Sequence, residues 1–455
     1  MKLPNGPKTP RLLQQIQWAA DPISYMEAMA KSYGDIFTTS VFDSRPSILV
    51  SNPQALKQMF ARENKDFSLP GKDKKRLNPL VGNQSLLLLE DESHLRQRKF
   101  LMPPFHGARM RTYGQLICDI TEKVMDRQAI DTPFSIRSAM GDIALQVLLE
   151  AVFGFHEGER CTQFRELIVS LMKPLTFVSL FFPFLRLDLG SWSPWGQFLR
   201  TRQQIDHMIY AEIKERRQKL DPESTDILSL LMSARDEAGQ AMTDKELRDQ
   251  LMTLLLGGSA TTENVMTWLC YWVHKKPDVQ NKCLKELEDL GASPDPVKIF
   301  QLPYLTAVCN ETLRIYPIDM FTSPRIAKSS LELMGYELSP GTALYGCIYL
   351  LHHRQDLYPE PKQFKPERFL ERKFSSYEFM PFGGGVRRCI GEILAQYEMK
   401  LVLSTIVSHY QLELADDQEA RPPRATLAPD VKMVLRGKRN NPETARPNEV
   451  LLTRK

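Results

Sequence analysis

No C-x-x-C spacing occurs among the seven cysteines, at positions 118, 161, 270, 283, 309, 347 and 389. Their odd number and scatter exclude a disulfide framework and a zinc site, and fit a reducing, cytoplasmic setting. Long apolar runs are missing too. The longest, Leu175 to Leu185, is broken by Pro183 and stopped at Arg186, short of the roughly 20 residues a membrane span needs. Met1 to Ala20 has prolines and polar groups but no apolar stretch of signal-peptide length. Net charge is small, +4 over 455 residues, and no basic block is interleaved with aromatics, so nucleic acid has no support as a partner. There is no internal repeat and no Gly/Ser-rich linker. Apolar residues make up 42% and charged residues 25%, ordinary for a soluble globular chain with ample core material.

Residues 1–20 read as an extended arm. Ile36 to Phe42 and Ser47 to Val50 alternate and are separated by Asp43-Ser44-Arg45-Pro46, the signature of a small hairpin. From about 105 to 320 the helical period dominates. The helix from Met242 to about Lys276 is the best defined: Thr243 and Glu246 make a T-x-x-E capping box and Pro277 follows its end. At about 1.5 Å per residue it would run roughly 50 Å. A second β-flavoured region spans about 323 to 348, with Gly335-Tyr336 and Pro340-Gly341 as turns. From Gly391 to Leu412 apolar residues recur at helical spacing, and the tail from 437 to 455 is polar and expected to be loosely ordered.

The most informative stretch is Phe382-Gly383-Gly384-Gly385-Val386-Arg387-Arg388-Cys389-Ile390-Gly391. A cysteine after a glycine-rich, doubly basic turn, at the mouth of a helix starting near Ile390, is placed to be a thiolate. Its charge is favoured by the arginines, by free N–H groups of the turn and by the helix dipole. Such a thiolate can ligate iron. The plainer reading is a buried cysteine after a flexible turn.

Phe382, Gly385, Arg387, Cys389 and Gly391 match every fixed position of Phe-x-x-Gly-x-Arg-x-Cys-x-Gly. The turn thereby resembles the haem-binding loop of the cytochrome P450 family, in which a cysteine thiolate holds haem iron. Glu311-Thr312-Leu313-Arg314 puts a carboxylate and a guanidinium three apart on one helical face, which alone is more often a surface ion pair. The resemblance implies that this Glu-x-x-Arg pair meets the arginine of Pro366-Glu367-Arg368-Phe369, so that Glu311, Arg314 and Arg368 form a structural brace for the cysteine loop. It also implies cationic partners for the haem propionates: His94 and Arg98, one turn apart on one face, with Arg325, His353 and Arg387.

Gly257-Gly258-Ser259-Ala260-Thr261-Thr262 lies near the middle of the long helix. Two adjacent glycines there cost about 1 kcal/mol each against alanine, so either a flat ligand approaches the backbone or another helix crosses. Against the family pattern of small residue, Gly, any, acid, Thr, Thr, the match holds at Gly257, Gly258, Thr261 and Thr262 and fails at Ala260, where the acid belongs. Thr261 still offers a hydroxyl, while Glu263 projects from a different face and is no simple substitute.

The resemblance implies a mainly α fold with small β regions, the P450 fold around one buried haem, with residues 1–455 as a single haem-thiolate domain. It implies haem b (iron protoporphyrin IX) as cofactor. The activity implied is a monooxygenase, similar to soluble bacterial members and to cyanobacterial enzymes acting on fatty acids or terpenes. The other readings are a haem-thiolate isomerase or dehydratase, a peroxide-driven oxygenase, and a non-catalytic haem sensor. Leu86 to Leu89, the aromatics Phe177, Phe181, Phe182, Phe184, Trp192 and Trp195, and Ile318 to Phe321 occupy places that line or cover the family's pocket, or are simple core; as lining they imply a lipophilic small-molecule substrate. A monomer is expected, reduced by a separate ferredoxin and ferredoxin reductase. Arg96, Arg98, Lys99, Arg387 and Arg388 are candidates for the acidic carrier's docking patch.

Overall fold

A computed structural model describes residues 3–42, 47–69, 71–105, 109–156, 158–171, 186–219, 224–291, 294–416, 419–422 and 428–439. The helix Asp244–Lys275 forms its spine. Thr243 caps it: its hydroxyl accepts the Glu246 N–H while the Glu246 carboxylate accepts the Thr243 N–H, the reciprocal box expected from the sequence. Along one side lies Ile136–Phe153, apolar nearly all round because it is sandwiched between the spine and Arg109–Met125. Glu392–His409 and Pro303–Ile315 pack on other faces of the spine. One continuous apolar core joins residues from Leu80 to Leu435.

Strands β1 (Ile36–Thr39), β2 (Ser47–Val50), β3 (Phe67–Ser68), β4 (Pro133–Ser135), β5 (Arg325–Ala327), β6 (Leu331–Leu333), β7 (Tyr336–Leu338), β8 (Ala343–Gly346), β9 (Tyr410–Leu414) and β10 (Lys432–Lys438) make three small sheets. The largest has the order β1-β2-β8-β5-β3, with β2 and β8 parallel and the rest antiparallel. It brings the two β-flavoured stretches of the sequence together. The β6–β7 turn is Met334-Gly335, both at positive φ, one residue before the expected position; Tyr336 is already paired in β7.

Two expectations change. Residues 11–20 are a helix, Arg11–Ala20, whose buried side chain is polar. Gln14 donates to the Thr9 carbonyl at 2.8 Å and accepts from Tyr25 and Ser40, while Leu12, Leu13 and Ile16 face outward. The C-terminal helix ends at His409, where Tyr410–Leu414 turns to a buried-exposed alternation and pairs with β10. Of the expected loose tail, residues 440–455 lie outside the described residues.

Candidate functional site

The cysteine turn is held by partners far away in sequence. The Cys389 N–H donates to the Phe382 carbonyl at 2.9 Å, closing the loop on itself. Gly385 stands at φ +69°, and a Cβ there would lie 1.9 Å from Glu63 Oε2, so the position needs glycine for backbone and for space alike. That carboxylate takes the Val386 N–H at 2.9 Å and pairs with Arg325. Gly391 is the N-cap of Glu392–His409.

The arginines of the turn spend their hydrogen bonds elsewhere than on the sulfur. Arg388 is bound to Glu392 by two contacts of 2.5 Å, and Arg387 donates to the carbonyls of Leu86, at 3.1 Å, and Leu89. Burial pushes the Cys389 thiol up; the Gly391 N–H pulls it down, and Arg98 does so least. The Gly391 N–H thus favours the thiolate while burial opposes it. Coordination to a metal deprotonates a thiol outright, and Cys389 presents the accessible surface this requires.

The Glu311, Arg314 and Arg368 brace forms as expected. Glu311 and Arg314 have 0% side-chain exposure, with Arg314 on the carboxylate at 2.7 and 2.9 Å, Arg368 Nε at 3.2 Å and the Lys365 N–H at 2.8 Å. Each guanidinium also ties down chain. Arg314 donates to the His352 carbonyl at 2.9 Å and Arg368 to the Pro359 carbonyl at 3.0 Å. His352 Nε2 then accepts the Met380 N–H at 3.0 Å, and the Met380 carbonyl accepts the Gly383 N–H at 3.0 Å. The brace thus reaches the cysteine loop through His352, a residue the sequence gave no reason to choose over its neighbour.

His353 is a correction. Its Nδ1 lies 2.8 Å from the Tyr349 carbonyl, its ring stacks on Tyr349 at 4.1 Å, and its charged neighbours are Arg314 and Lys362. It does not join the cationic group around Arg325.

His352 also sets a pH dependence. Burial and the neighbouring Arg314 hold its pKa well below the usual 6.5, so the folded protein keeps the ring neutral while the unfolded chain protonates. Stability is then full above pH 6.5 and falls as pH drops, by up to about 1.4 kcal/mol per pH unit for one such group. His352→Gln, whose amide oxygen can accept the Met380 N–H, should flatten the fall in thermal midpoint between pH 6.5 and 5. An unchanged slope would assign the acid sensitivity elsewhere.

His94, Arg325 and Arg387 line a small pocket with Glu63, Glu90, Asp91 and Val386. Arg98 borders it, its guanidinium 2.8 Å from the Arg388 carbonyl. His94 is buried and its pKa is driven down to about 3 by burial and by Arg387, Arg98 and Arg325, so its ring is neutral. Burial and Arg325 lower the Arg387 guanidinium to about 10. Arg98, Arg325 and Arg387 gather here with three acids, Glu63, Glu90 and Asp91; guanidinium N–H groups not spent on those acids are the donors an anionic group would use. The helix Asp91–Leu101 carrying His94 is docked by Arg96 and Gln97, both 2.6 Å from Glu246 at the start of the spine.

On the spine, the two adjacent glycines differ in their surroundings. A Cβ on Gly258 would meet Leu148 of the neighbouring helix at 3.0 Å, while Gly257 faces open space. Thr261 Oγ1 donates to the Gly257 carbonyl at 2.5 Å, and Thr262 is buried. The Ala260 carbonyl accepts from Asn264 at 2.6 Å. Glu263 is turned away, bound to Arg137 at 2.6 Å.

Leu86 and Leu88 are buried, and the Leu86 N–H donates to Gln250 at 3.0 Å. Phe177, Phe181, Phe182 and Phe184 lie outside the described residues. Trp192 is 94% exposed, on the outer surface, whereas Trp195 is buried and stacks on Phe198 at 4.9 Å. The expected basic patch is largely neutralised. Arg96 pairs with Asp236 and Glu246, Lys99 with Glu237 and Arg388 with Glu392.

The accessible cysteine on its loop, the arginines and acids around His94 and the long helix with an open glycine are the parts a haem-thiolate site would use. The Cytochrome P450 family model matches residues 4–440, and the chain belongs to that family. A Mycobacterium tuberculosis relative with the provisional name cytochrome P450 135B1 is 32% identical over 427 residues, covering 93% of this chain and 88% of its own. Among solved structures, retinoic acid-bound cyanobacterial CYP120A1 shares the fold at TM-score 0.80 and 23% identity, over 95% of this chain and 99% of its own. The cytochrome P450DA heme domain does so at 0.82 and 19%, over 96% and 98%. Family members bind haem b and are haem-thiolate monooxygenases, and bacterial members are typically reduced by a ferredoxin and its reductase. Among the described residues no helix is long and apolar enough to cross a membrane.

Proposed function

We propose that this chain is a monooxygenase that places one oxygen atom from O₂ into a lipophilic small molecule of fatty-acid or terpenoid type. The observation that carries this reading is Cys389, accessible on a loop that Glu311, Arg314, Arg368 and His352 hold in place. Haem, when bound, supplies the oxygen chemistry. In this reading Cys389 ligates the iron, with Phe382 and Gly391 framing its loop. His94, Arg98, Arg325 and Arg387 meet the propionates, with Arg325 shared by Glu63. Thr261 and Thr262 would supply hydroxyls from the long helix, and Gly258 lets that helix pack closely on Leu148. The protein is read as a cytoplasmic monomer of one haem domain, reduced by a separate ferredoxin-type donor. With Arg96, Lys99 and Arg388 already paired, salt should affect that docking only weakly.

The peroxide-driven or isomerase reading draws on one specific observation: position 260 is alanine, and Glu263 is occupied by Arg137. The test is a product screen of lipophiles with ferredoxin partners and NADPH, repeated with peroxide alone. Product only with the reductase chain supports the monooxygenase, and product only with peroxide overturns it.

A positioned acid typically contributes about 10²–10⁴-fold, so without one at 260 the enzyme should leak reducing equivalents as hydrogen peroxide. Ala260→Asp should raise product formed per NADPH consumed with wholly apolar substrates. If coupling and rate both stay put, position 260 does not limit proton delivery.

A further inference from the structure

The helix Arg11–Ala20 sits the wrong way round. In a surface helix of a globular protein the apolar stripe faces the core and the polar side faces water. Here the buried side chain is Gln14, and the apolar ones are outside: Leu12 is 69%, Ile16 56% and Leu13 43% exposed. At about 100° per residue these three and exposed Ala20 fall within an arc of about 100°, on the side opposite Gln14 and Trp18. The orientation is built in. The Gln14 amide donates to the Thr9 carbonyl at 2.8 Å and accepts from the Ser40 N–H at 3.0 Å and the Tyr25 hydroxyl at 3.2 Å. Rolling the helix to bury its leucines would leave those buried groups without partners. Trp18 holds the same side, its ring centroid 5.3 Å from Phe42 and 5.7 Å from Phe321. The chain ahead is tied as well, since Thr38 donates its N–H to the Asn5 carbonyl at 3.0 Å and its hydroxyl to the Pro4 carbonyl at 2.6 Å.

Size and charge decide what covers this face. Four side chains are far fewer than the roughly 20–30 residues a side of a specific protein interface, so a second copy or a folded partner gains little from them. A bilayer needs no matching surface. An apolar helix face enters the acyl boundary while basic residues beside it meet anionic headgroups. The charge is there: Lys8 and Arg11 are exposed at the start of the helix, and residues 1–20 hold three basic residues and no acid.

We propose that the helix Arg11–Ala20 docks this protein on an anionic membrane surface, with Leu12, Leu13 and Ile16 among the acyl chains and Lys8 and Arg11 on the phosphate headgroups. The attachment is peripheral and reversible. It asks nothing of the haem chemistry, and it sets the protein on the phase in which lipophilic small molecules dissolve.

The test floats holoprotein with large unilamellar vesicles of phosphatidylcholine, alone or mixed equally with phosphatidylglycerol, and takes partition constants from the bound fraction. Wild type should bind the mixed vesicles and strongly prefer them. Leu12→Gln combined with Ile16→Gln should weaken that binding at least about tenfold, with haem content and thermal midpoint unchanged because both side chains are exposed. Lys8→Ala with Arg11→Ala should weaken it by about fivefold for each charge removed. Absence of vesicle binding overturns the proposal; so does equal binding to the two vesicle types, or a Leu12→Gln, Ile16→Gln protein that binds like wild type. A dimer seen without lipid in sedimentation velocity, and abolished by the same two substitutions, would assign the face to a second copy and overturn it too. Flotation needs no turnover. A protein that binds the vesicles through this helix but yields no oxygenated product would fail the monooxygenase reading while leaving this one standing.

Discussion

Cys389→Ser should lose the red-shifted Soret band of the reduced CO complex entirely, and with it all oxygenation. The alcohol of serine is a far weaker acid than a thiol, and no cation in the turn is free to compensate: Arg388 is bound to Glu392 and Arg387 to the Leu86 and Leu89 carbonyls. The thiolate's electron push on haem iron then disappears at its source. Haem should still be held weakly, because His94, Arg325 and Arg387 are untouched. The measurement is the difference spectrum of dithionite-reduced protein with and without CO, alongside haem content. A variant that keeps the thiolate band would remove Cys389 from its proposed role.

Glu311→Ala is expected to cost most of the protein's stability. The carboxylate is fully buried and accepts from Arg314, Arg368 and the Lys365 N–H. Its loss would leave two guanidinium groups desolvated without a counter-charge. Breaking a buried pair from one side typically costs about 3–5 kcal/mol, against a total of about 5–15 kcal/mol for a whole domain. Arg314 and Arg368 also hold the His352, Pro359 and Gln363 carbonyls, so the loop leading to Cys389 should loosen with them. Expression should give insoluble or haem-poor protein. Glu311→Gln, which retains the acceptor oxygen without the charge, should fall between. A soluble, fully loaded Glu311→Ala would show that the brace is dispensable.

What could be read in the sequence was local chemistry. The cysteine turn, the Glu311 and Arg314 spacing and the Thr243 capping box each need particular residue types a few positions apart, so their geometry is written in the order of residues. Contacts between distant segments were legible only where a family resemblance supplied them, as for Arg368 on Glu311. Glu63 meets Val386 across 323 residues, and nothing around Glu63 marks it as the acid beneath Gly385. His352 and His353 are neighbours of one type, and only the packing of Met380 against one of them separates their roles. The helix Arg11–Ala20 was missed because its buried partner is Gln14, held by hydrogen bonds, so burial there does not follow hydrophobicity.

The staples between Glu63 and Val386, between Arg98 and Arg388 and between Arg387 and Leu86 span 323, 290 and 301 residues. Ribosomes add about 5–20 residues per second, so Glu63 is made roughly 15 to 65 seconds before Val386. Throughout that interval the first half of the anion pocket has no floor. Loading with cofactor must therefore wait until the Val386 to Cys389 loop has been made. Chains stalled before Cys389 should then be cleared without ever drawing on the haem pool.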